Sequence, residues 1–450
     1  MSSAESKALK LFHDAANRIP AYGDFLRKQK LNPAAIKTVA DFKRVPIMDK
    51  ANYITQYDLA EMCWDGRFDG LNYVVSSSGS TGLPFYWPRG ENQDVVSAAL
   101  YGRVFEVSFG LSRSSTLIVN SYGQGTWIAG TELYNTARLL AKKNPRISII
   151  NPGIDIDLTI TQLEKLSSNF DKIIICGYPP LLRDLVEHGM RRGFDWAKQR
   201  VFMVTAGEAM SEPWRQHMNT LLGAKDNRII NVYGLADAGV VTSETPATLN
   251  LRSRYEGSLP EELGGSRTVG LHQYDPMDRY FEVDEDYRLL LTTNAGIPLV
   301  RYDTKDHGII TPAKTLTKDN PLPILSLFGR EDLSTTLYAL NIYPENIRSV
   351  LDDQQLALLL TGRFIMQTKH RKDMSQYLHI DIELAPGANV DAEFRRNIKR
   401  SIIDELRRSN TEYRELHAKI GTKAHPRLRF APYNTIGYVA GKKHKWVKRV

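Results

Sequence analysis

The chain is 450 residues long, with a formal net charge of +8, 42% hydrophobic residues and 24% charged residues. That length suffices for a large buried core, in about two to four domains or in one large domain with an appendage. The composition is near the globular average and excludes extended disorder and collagen; no apolar run approaches the roughly 18 residues of a spanning helix, so no membrane association is expected.

The chain opens Met1-Ser2-Ser3-Ala4-Glu5. No basic stretch precedes an apolar core there, so no secretory signal is expected and a cytoplasmic location is. Residues Ala8, Leu11, Phe12, Ala15 and Ile19 fall at helical spacing, which predicts an amphipathic helix that Pro20 ends or kinks. The segment Phe42-Lys43-Arg44-Val45-Pro46-Ile47-Met48-Asp49-Lys50 follows. Cys63 and Cys176 are too few and too far apart for a disulfide framework or a cysteine-based zinc site, and both are expected as reduced thiols.

Next stands Ser76-Ser77-Ser78-Gly79-Ser80-Thr81-Gly82-Leu83-Pro84. Glycines let the backbone turn tightly and aim its N–H groups at an anion, and the hydroxyls add donors, so the stretch reads as a phosphate loop. Only two residues separate Gly79 from Gly82 and no lysine follows, which sets it apart from the G-x-x-x-x-G-K-[ST] loop. The competing reading is a Ser/Gly-rich surface linker. The strand-like, apolar flanks Leu71–Val75 and Phe85–Trp87 argue against it.

Strands and helices then alternate. Strands are predicted at Thr116–Val119, Ile147–Ile150, Asp171–Cys176, Val201–Val204 and Ile229–Val232, with helices over Glu132–Lys143, near Leu181–Arg191 and after Ser211-Glu212-Pro213. This is the pattern of an α/β core with parallel strands. After about Asn250 a strand-rich subdomain is expected, with a hairpin from Tyr280–Val283 and Arg288–Leu291 around Asp284-Glu285-Asp286. A second break falls at Gly329-Arg330-Glu331-Asp332. Beyond it a small α+β domain is predicted, with a strand at Leu378–Ile382, a helix facing inward through Phe394, Ile398, Ile402 and Leu406, and a strand at Leu428–Phe430. Much of the positive charge lies late, in the helix near Arg395–Arg408 and in the tail Ala440–Val450. No aromatic-interleaved groove surrounds it, so a nucleic-acid partner is not expected, and the charge suits a small anionic substrate.

Taken together, these stretches resemble the adenylate-forming superfamily that includes acyl-CoA ligases, in particular its phenylacetate-CoA ligase-like branch. The resemblance covers nearly the whole chain. It implies a large multi-subdomain adenylation domain over residues 1–330, and a small mobile α+β lid over 331–450. Ser77, Ser78, Gly79, Ser80, Thr81 and Gly82 match the family's phosphate loop, which usually continues with lysine or threonine where Phe85 stands here. The stretch Asn120-Ser121-Tyr122-Gly123-Gln124-Gly125 is similar to the aromatic loop beside the acyl pocket, and Ala206-Gly207-Glu208 to the turn bordering adenine. Tyr122, Trp127 and Tyr178 are the candidate pocket residues; aromatics after strands are also ordinary core residues.

Tyr233-Gly234-Leu235-Ala236-Asp237 resembles Y-G-x-[ST]-E, which implies Tyr233 stacked on adenine and Asp237 holding Mg²⁺. A Tyr-Gly turn after a strand is also a common structural feature. Ala236 lacks the family's hydroxyl, and Asp237 is one methylene shorter than the glutamate. Arg301-Tyr302-Asp303-Thr304-Lys305-Asp306 resembles Y-R-T-G-D, which makes Asp306 the ribose acceptor; the alternative is a capped turn. Arg330 and Asp332 match a G-R-x-D hinge, with Arg330 near ribose or phosphate and Asp332 as pivot. Lys442, with Lys443 and Lys445 competing, resembles the C-terminal lysine that reaches the α-phosphate; a solvated basic tail is the other reading.

The implied activity is ATP-dependent activation of a small carboxylic acid as its adenylate, followed by transfer to an acceptor. CoA or a carrier-protein thiol is the usual acceptor in the family. Ala339 stands where thioester-forming relatives usually have glycine, which keeps open an amino-acid acceptor, as in coronafacate ligase-like members. A binding-only protein with a degenerate adenylation fold is the remaining alternative.

Overall fold

The computed structural model describes residues 2–450 except 77–84, 208–209, 256–258, 266–267, 269, 313–321, 331–334, 338–339, 371–375, 438–446 and 448–450. The N-terminal helix α1 (Ser3–Arg18) starts at a capping box between Ser2 and Glu5. Pro20 both ends it and opens α2 (Pro20–Lys28), where its missing N–H costs nothing. Short α3 (Val39–Phe42) follows, then the hairpin of β1 (Tyr73–Ser76) and β2 (Tyr86–Arg89), whose antiparallel strands flank residues 77–84.

The alternating stretch becomes α4 (Glu91–Phe109), β3 (Thr116–Asn120), α5 (Ile128–Lys143), β4 (Ile147–Ile150), α6 (Ile156–Leu166), β5 (Lys172–Gly177), α7 (Pro179–Arg191), β6 (Val201–Ala206), α8 (Glu212–Leu221) and β7 (Ile229–Leu235). Strands β4, β3, β5, β6 and β7 lie side by side and are parallel. Both faces are covered. Ile118, Ile174 and Phe202 pack under α4 and α5, whereas Leu117, Val119, Ile173, Ile175 and Met203 pack against α6, α7 and α8. The period-two alternation of strand side chains sends successive residues to opposite cores, so the strands read as continuous apolar runs.

The chain then adds β8 (Gly239–Ser243), α9 (Pro246–Ser253), β9 (Gly270–Gln273), β10 (Tyr280–Val283), β11 (Arg288–Thr293), β12 (Leu299–Thr311) and β13 (Ile324–Arg330). The hairpin expected around Asp284–Asp286 is present as β10 and β11. These strands do not build a sheet of their own. β8 pairs antiparallel with β7, and the remainder continue the same sheet in the order β9-β13-β12-β11-β10, giving 11 strands among the described residues. Helices α1 and α2 cover this antiparallel half, through Phe12, Tyr22 and Phe25 in a core with Leu289, Leu291 and Tyr302.

Beyond β13 lie β14 (Thr335–Leu337), β15 (Leu340–Ile342), α10 (Glu345–Leu351), β16 (Leu360–His370), β17 (Gln376–Leu384), α11 (Ala392–Ser409), α12 (Thr411–Ile420) and β18 (Arg427–Ala431). β16, β17 and β18 form a three-stranded sheet, and the predicted Ile398, Ile402 and Leu406 of α11 fill its core. Polar contacts join this part to the large sheet's helices. Arg183 of α7 donates to the carbonyls of Ala357 (3.2 Å), Leu360 (3.1 Å) and Thr361 (2.9 Å). Arg363 lies between Glu383 (3.1 Å) and Asp184, and Ser211 donates to Asp352 at 2.7 Å. Among the described residues no helix is long and apolar enough to cross a membrane.

Candidate nucleotide and acyl site

In an open parallel sheet, ligands sit beyond the carboxyl ends of the strands, at the point where strand order reverses. Here that point lies between β3 and β5, because the chain goes outward from β3 to β4 and returns to β3's other edge with β5. Tyr122 follows β3, Tyr178 follows β5, Gly207 follows β6, and Tyr233 and Asp237 close β7. Residues far apart in sequence are thus brought to one rim.

Tyr122 and Tyr178 meet edge to face with ring centroids 5.3 Å apart. Tyr122 is fully buried and its hydroxyl donates to the Val204 carbonyl at 3.3 Å, so it underlies Tyr178, which is half-buried. Trp127, also half-buried, bridges to Ser76 at the end of β1, and the Ser76 N–H donates to Thr126 at 2.8 Å. Thr126 and Trp127 therefore abut Ser76, the residue that precedes the candidate phosphate loop. Gly207 has φ +83°, the left-handed conformation that favours glycine at this turn.

Tyr233 and Gly234 lie within β7 rather than in a turn, and the hairpin between β7 and β8 carries Asp237. The Tyr233 hydroxyl donates to Asp306 Oδ2 at 2.7 Å. Asp306 lies inside the 13-residue strand β12, not at a turn, and its Cα faces Arg330 at the end of β13. Lys305, just before it, has φ +64°, a conformation costly for a residue with a side chain. Its ammonium is held by Asp303 at 2.7 Å and Asp49 at 3.1 Å. Burial works against that charge, but the two carboxylates outweigh it and raise the pKa.

Asp237 is 8% exposed. Its Oδ2 accepts from the Tyr302 hydroxyl, and its Oδ1 lies 3.6 Å from the Lys50 ammonium. Among the described residues no group of three or more histidine, cysteine or acidic side chains could by itself enclose a metal. Magnesium is commonly held by one or two carboxylates with water and phosphate oxygens completing its shell. A lone Asp237 fits that donor set as a single anchor.

The hairpin carrying Asp237 is braced from below. Arg89 of β2 donates to Glu132 of α5 at 2.9 Å, and Glu132 also accepts from Ser97 (2.6 Å) and from the Val240 N–H (3.1 Å). All four lie in buried surroundings; burial opposes the charge on Arg89, and Glu132 outweighs it to raise the pKa. A Cβ at Gly239 would lie 2.1 Å from Glu132 Oε1, so this close approach requires glycine. The network links β2 to the hairpin of Asp237.

Ser77, Ser78, Gly79, Ser80, Thr81, Gly82, Glu208, Asp332, Ala339 and Lys442, together with Lys443 and Lys445, lie outside the described residues. Sequence reasoning passed over Lys50, Tyr302, Arg89 and Glu132. Tyr302 stood inside a quoted motif; the others carry no local signal, because only the tertiary fold brings them to the rim.

The fold is that of the adenylate-forming ligases, a large mixed sheet with a smaller C-terminal sheet appended. The chain is similar over 99% of its length to 89% of 2-hydroxyisobutyryl-CoA ligase in complex with an acyl-AMP, at 14% identity and a TM-score of 0.74. It is also similar, over 84% of its length, to 68% of the amide bond synthetase McbA from Marinactinospora thermotolerans (13% identity, TM-score 0.51). A third likeness, again over 84% of this chain, is to 69% of o-succinylbenzoate-CoA synthetase from Bacillus subtilis with its acyl-adenylate (12% identity, TM-score 0.53). No protein-family model and no curated protein sequence matches the chain.

Proposed function

We propose that the chain is an ATP-dependent carboxylic acid-activating ligase that forms an acyl-adenylate and pyrophosphate. The observation that carries this reading is the Tyr233–Asp306 hydrogen bond of 2.7 Å, which joins the candidate adenine platform to the candidate ribose acceptor beside Asp237. An ionised carboxylate can accept hydrogen bonds from both ribose hydroxyls. A carboxylic acid lying near Tyr178 and Trp127 attacks the α-phosphorus in line, while the hydroxyls and backbone N–H groups of Ser77–Gly82 hold the departing pyrophosphate. Catalysis of this kind is positioning and charge stabilisation. Magnesium, when bound, neutralises charge on the phosphate oxygens, and Asp237 is the residue that would hold it.

Lys442 then serves the α-phosphate during adenylation, and the C-terminal part turns about Asp332 to admit the acceptor. Such a turn breaks the contacts that Arg183, Arg363 and Asp352 make in this arrangement. The acceptor is a CoA or carrier-protein thiol, and the second reading is an amino acid. Ala339, with its extra methyl at a position of usual glycine, favours that second reading. The test is to supply ATP, magnesium and a panel of aryl, alicyclic, fatty and amino acids without acceptor, and to look by mass spectrometry for an acyl-adenylate. The expected result is an adenylate with one acid class. Binding of ATP with no adenylate from any class contradicts the reading.

A further inference from the structure

The phosphate loop ends without the expected lysine, and Phe85 stands in that position. A cation nevertheless lies beside Phe85. The Lys50 ammonium lies 5.3 Å from the centroid of the Phe85 ring and 5.8 Å from that of Trp87, and 3.6 Å from Asp237 Oδ1. Its side chain is 37% exposed, and its ammonium makes no hydrogen bond to any described residue. An ammonium carries three donors. Among the described residues Lys50 therefore gives none of the three to a hydrogen bond, and it is kept beside Phe85 and Trp87 by two aromatic faces and one carboxylate.

Its position is built in. Met48 bridges to Tyr302 of β12, its N–H donating to Arg301 (3.3 Å) and its carbonyl accepting from Asp303 (2.9 Å). The Arg301 guanidinium donates back to the carbonyls of Lys43 (2.7 Å) and Val45 (2.5 Å), and Asp49 is paired with Lys305. Asp49 and Asn52 cap each other's backbone, at 2.8 Å each way, and so fix the turn that follows Lys50. The segment Lys43–Lys50 is thus laid along the strand that carries Asp306. A surface ion pair would need none of this anchoring.

We propose that Lys50 is the phosphate-binding cation of the site, supplied from the N-terminal segment in place of the lysine the loop lacks. Without nucleotide it rests against Asp237. With a polyphosphate bound beside Asp237 it passes to the phosphate oxygens and leaves Asp237 open to magnesium. This inference rests on the ligase reading above and adds to it the source of the charge.

The test is calorimetric binding of ATP, inorganic pyrophosphate and adenosine to the full chain, without acid, with and without magnesium. Wild type is compared with Lys50→Met, Lys50→Gln and Lys50→Arg. Loss of the cation is expected to weaken ATP and pyrophosphate binding at least tenfold and to leave adenosine binding within twofold, with Lys50→Arg recovering most of the loss. Retained adenosine binding reports an intact fold, and Lys50→Gln serves should the methionine variant not fold. Unchanged ATP affinity in Lys50→Met and Lys50→Gln, while wild type binds ATP, overturns the role of Lys50 and leaves the ligase reading standing. A wild type that binds no ATP overturns both.

Discussion

The Tyr233 hydroxyl donates to Asp306 Oδ2 at 2.7 Å, joining the carboxyl end of β7 to the middle of β12 across 73 residues of sequence. An aromatic face and a carboxylate are thereby held at a fixed spacing before any ligand arrives. That is preorganisation, and it lowers the ordering cost of binding. Asp306→Ala is expected to weaken ATP binding by about 1.5–3 kcal/mol, the usual worth of hydrogen bonds to a charged group. Tyr233→Phe keeps the ring and is expected to lose less. Titration calorimetry with ATP alone measures both.

Lys442 is expected to behave differently. A cation that meets charge developing in the transition state should leave ground-state affinity nearly intact. Lys442→Ala is expected to slow adenylate formation by about 3–4 kcal/mol in barrier while ATP affinity changes little. Single-turnover kinetics beside calorimetry separates the two effects. Equal losses of rate and affinity in both Lys442→Ala and Asp306→Ala would contradict the assignments.

The Arg89–Glu132 pair is buried on both sides, with side-chain exposures of 2% and 5%. Removing one member leaves the other charged and desolvated. Glu132→Ala is expected to destabilise the protein by roughly 3–5 kcal/mol, and it also strips the Val240 N–H of its acceptor. The double substitution Arg89→Met, Glu132→Leu is expected to recover part of that loss, because it strands neither member of the pair, although buried Arg279 still loses the nearby Glu132 charge. Urea unfolding of the variants checks the order.

These contrasts mark what was legible in the sequence. The parallel strands were readable because both faces are covered, which makes runs such as Lys172–Gly177 apolar almost throughout. Tyr233, Asp237 and Asp306 were singled out through short motifs, and the structure brings Tyr233 and Asp306 together. Their local structure was not legible in those motifs, since Asp306 sits in a strand and only its pairing with β13 decides that. Lys50 and Glu132 were invisible for a physical reason. Each acts through partners 187 and 43 residues away, Asp237 and Arg89, and no local pattern of charge encodes such a meeting.

His272 contributes a pH dependence to the stability of the antiparallel side. The ring is fully buried, with Nδ1 2.9 Å from Thr242 Oγ1, and burial pushes its pKa down to about 3, with Arg252 and Arg215 acting in the same direction. An ordinary histidine in the unfolded chain titrates near ~6.5. The unfolded state therefore binds the extra proton first. Stability from this group is complete above the unfolded value and is lost as pH falls toward the folded one, by at most about 1.4 kcal/mol per pH unit. His272→Gln is expected to flatten the fall in urea midpoint between about pH 6.5 and pH 4.5 relative to wild type. Parallel profiles would contradict it.

On the proposed reading this rim activates a carboxylic acid with ATP. Acid-dependent exchange of labelled pyrophosphate into ATP, with magnesium and no acceptor, tests it most directly, because it reads the reversible first half-reaction alone. Exchange is expected with one class of acid, and none when the acid is omitted. Silence across aryl, alicyclic, fatty and amino acids, from a protein that binds ATP, would contradict it and favour a nucleotide-binding protein without ligase activity.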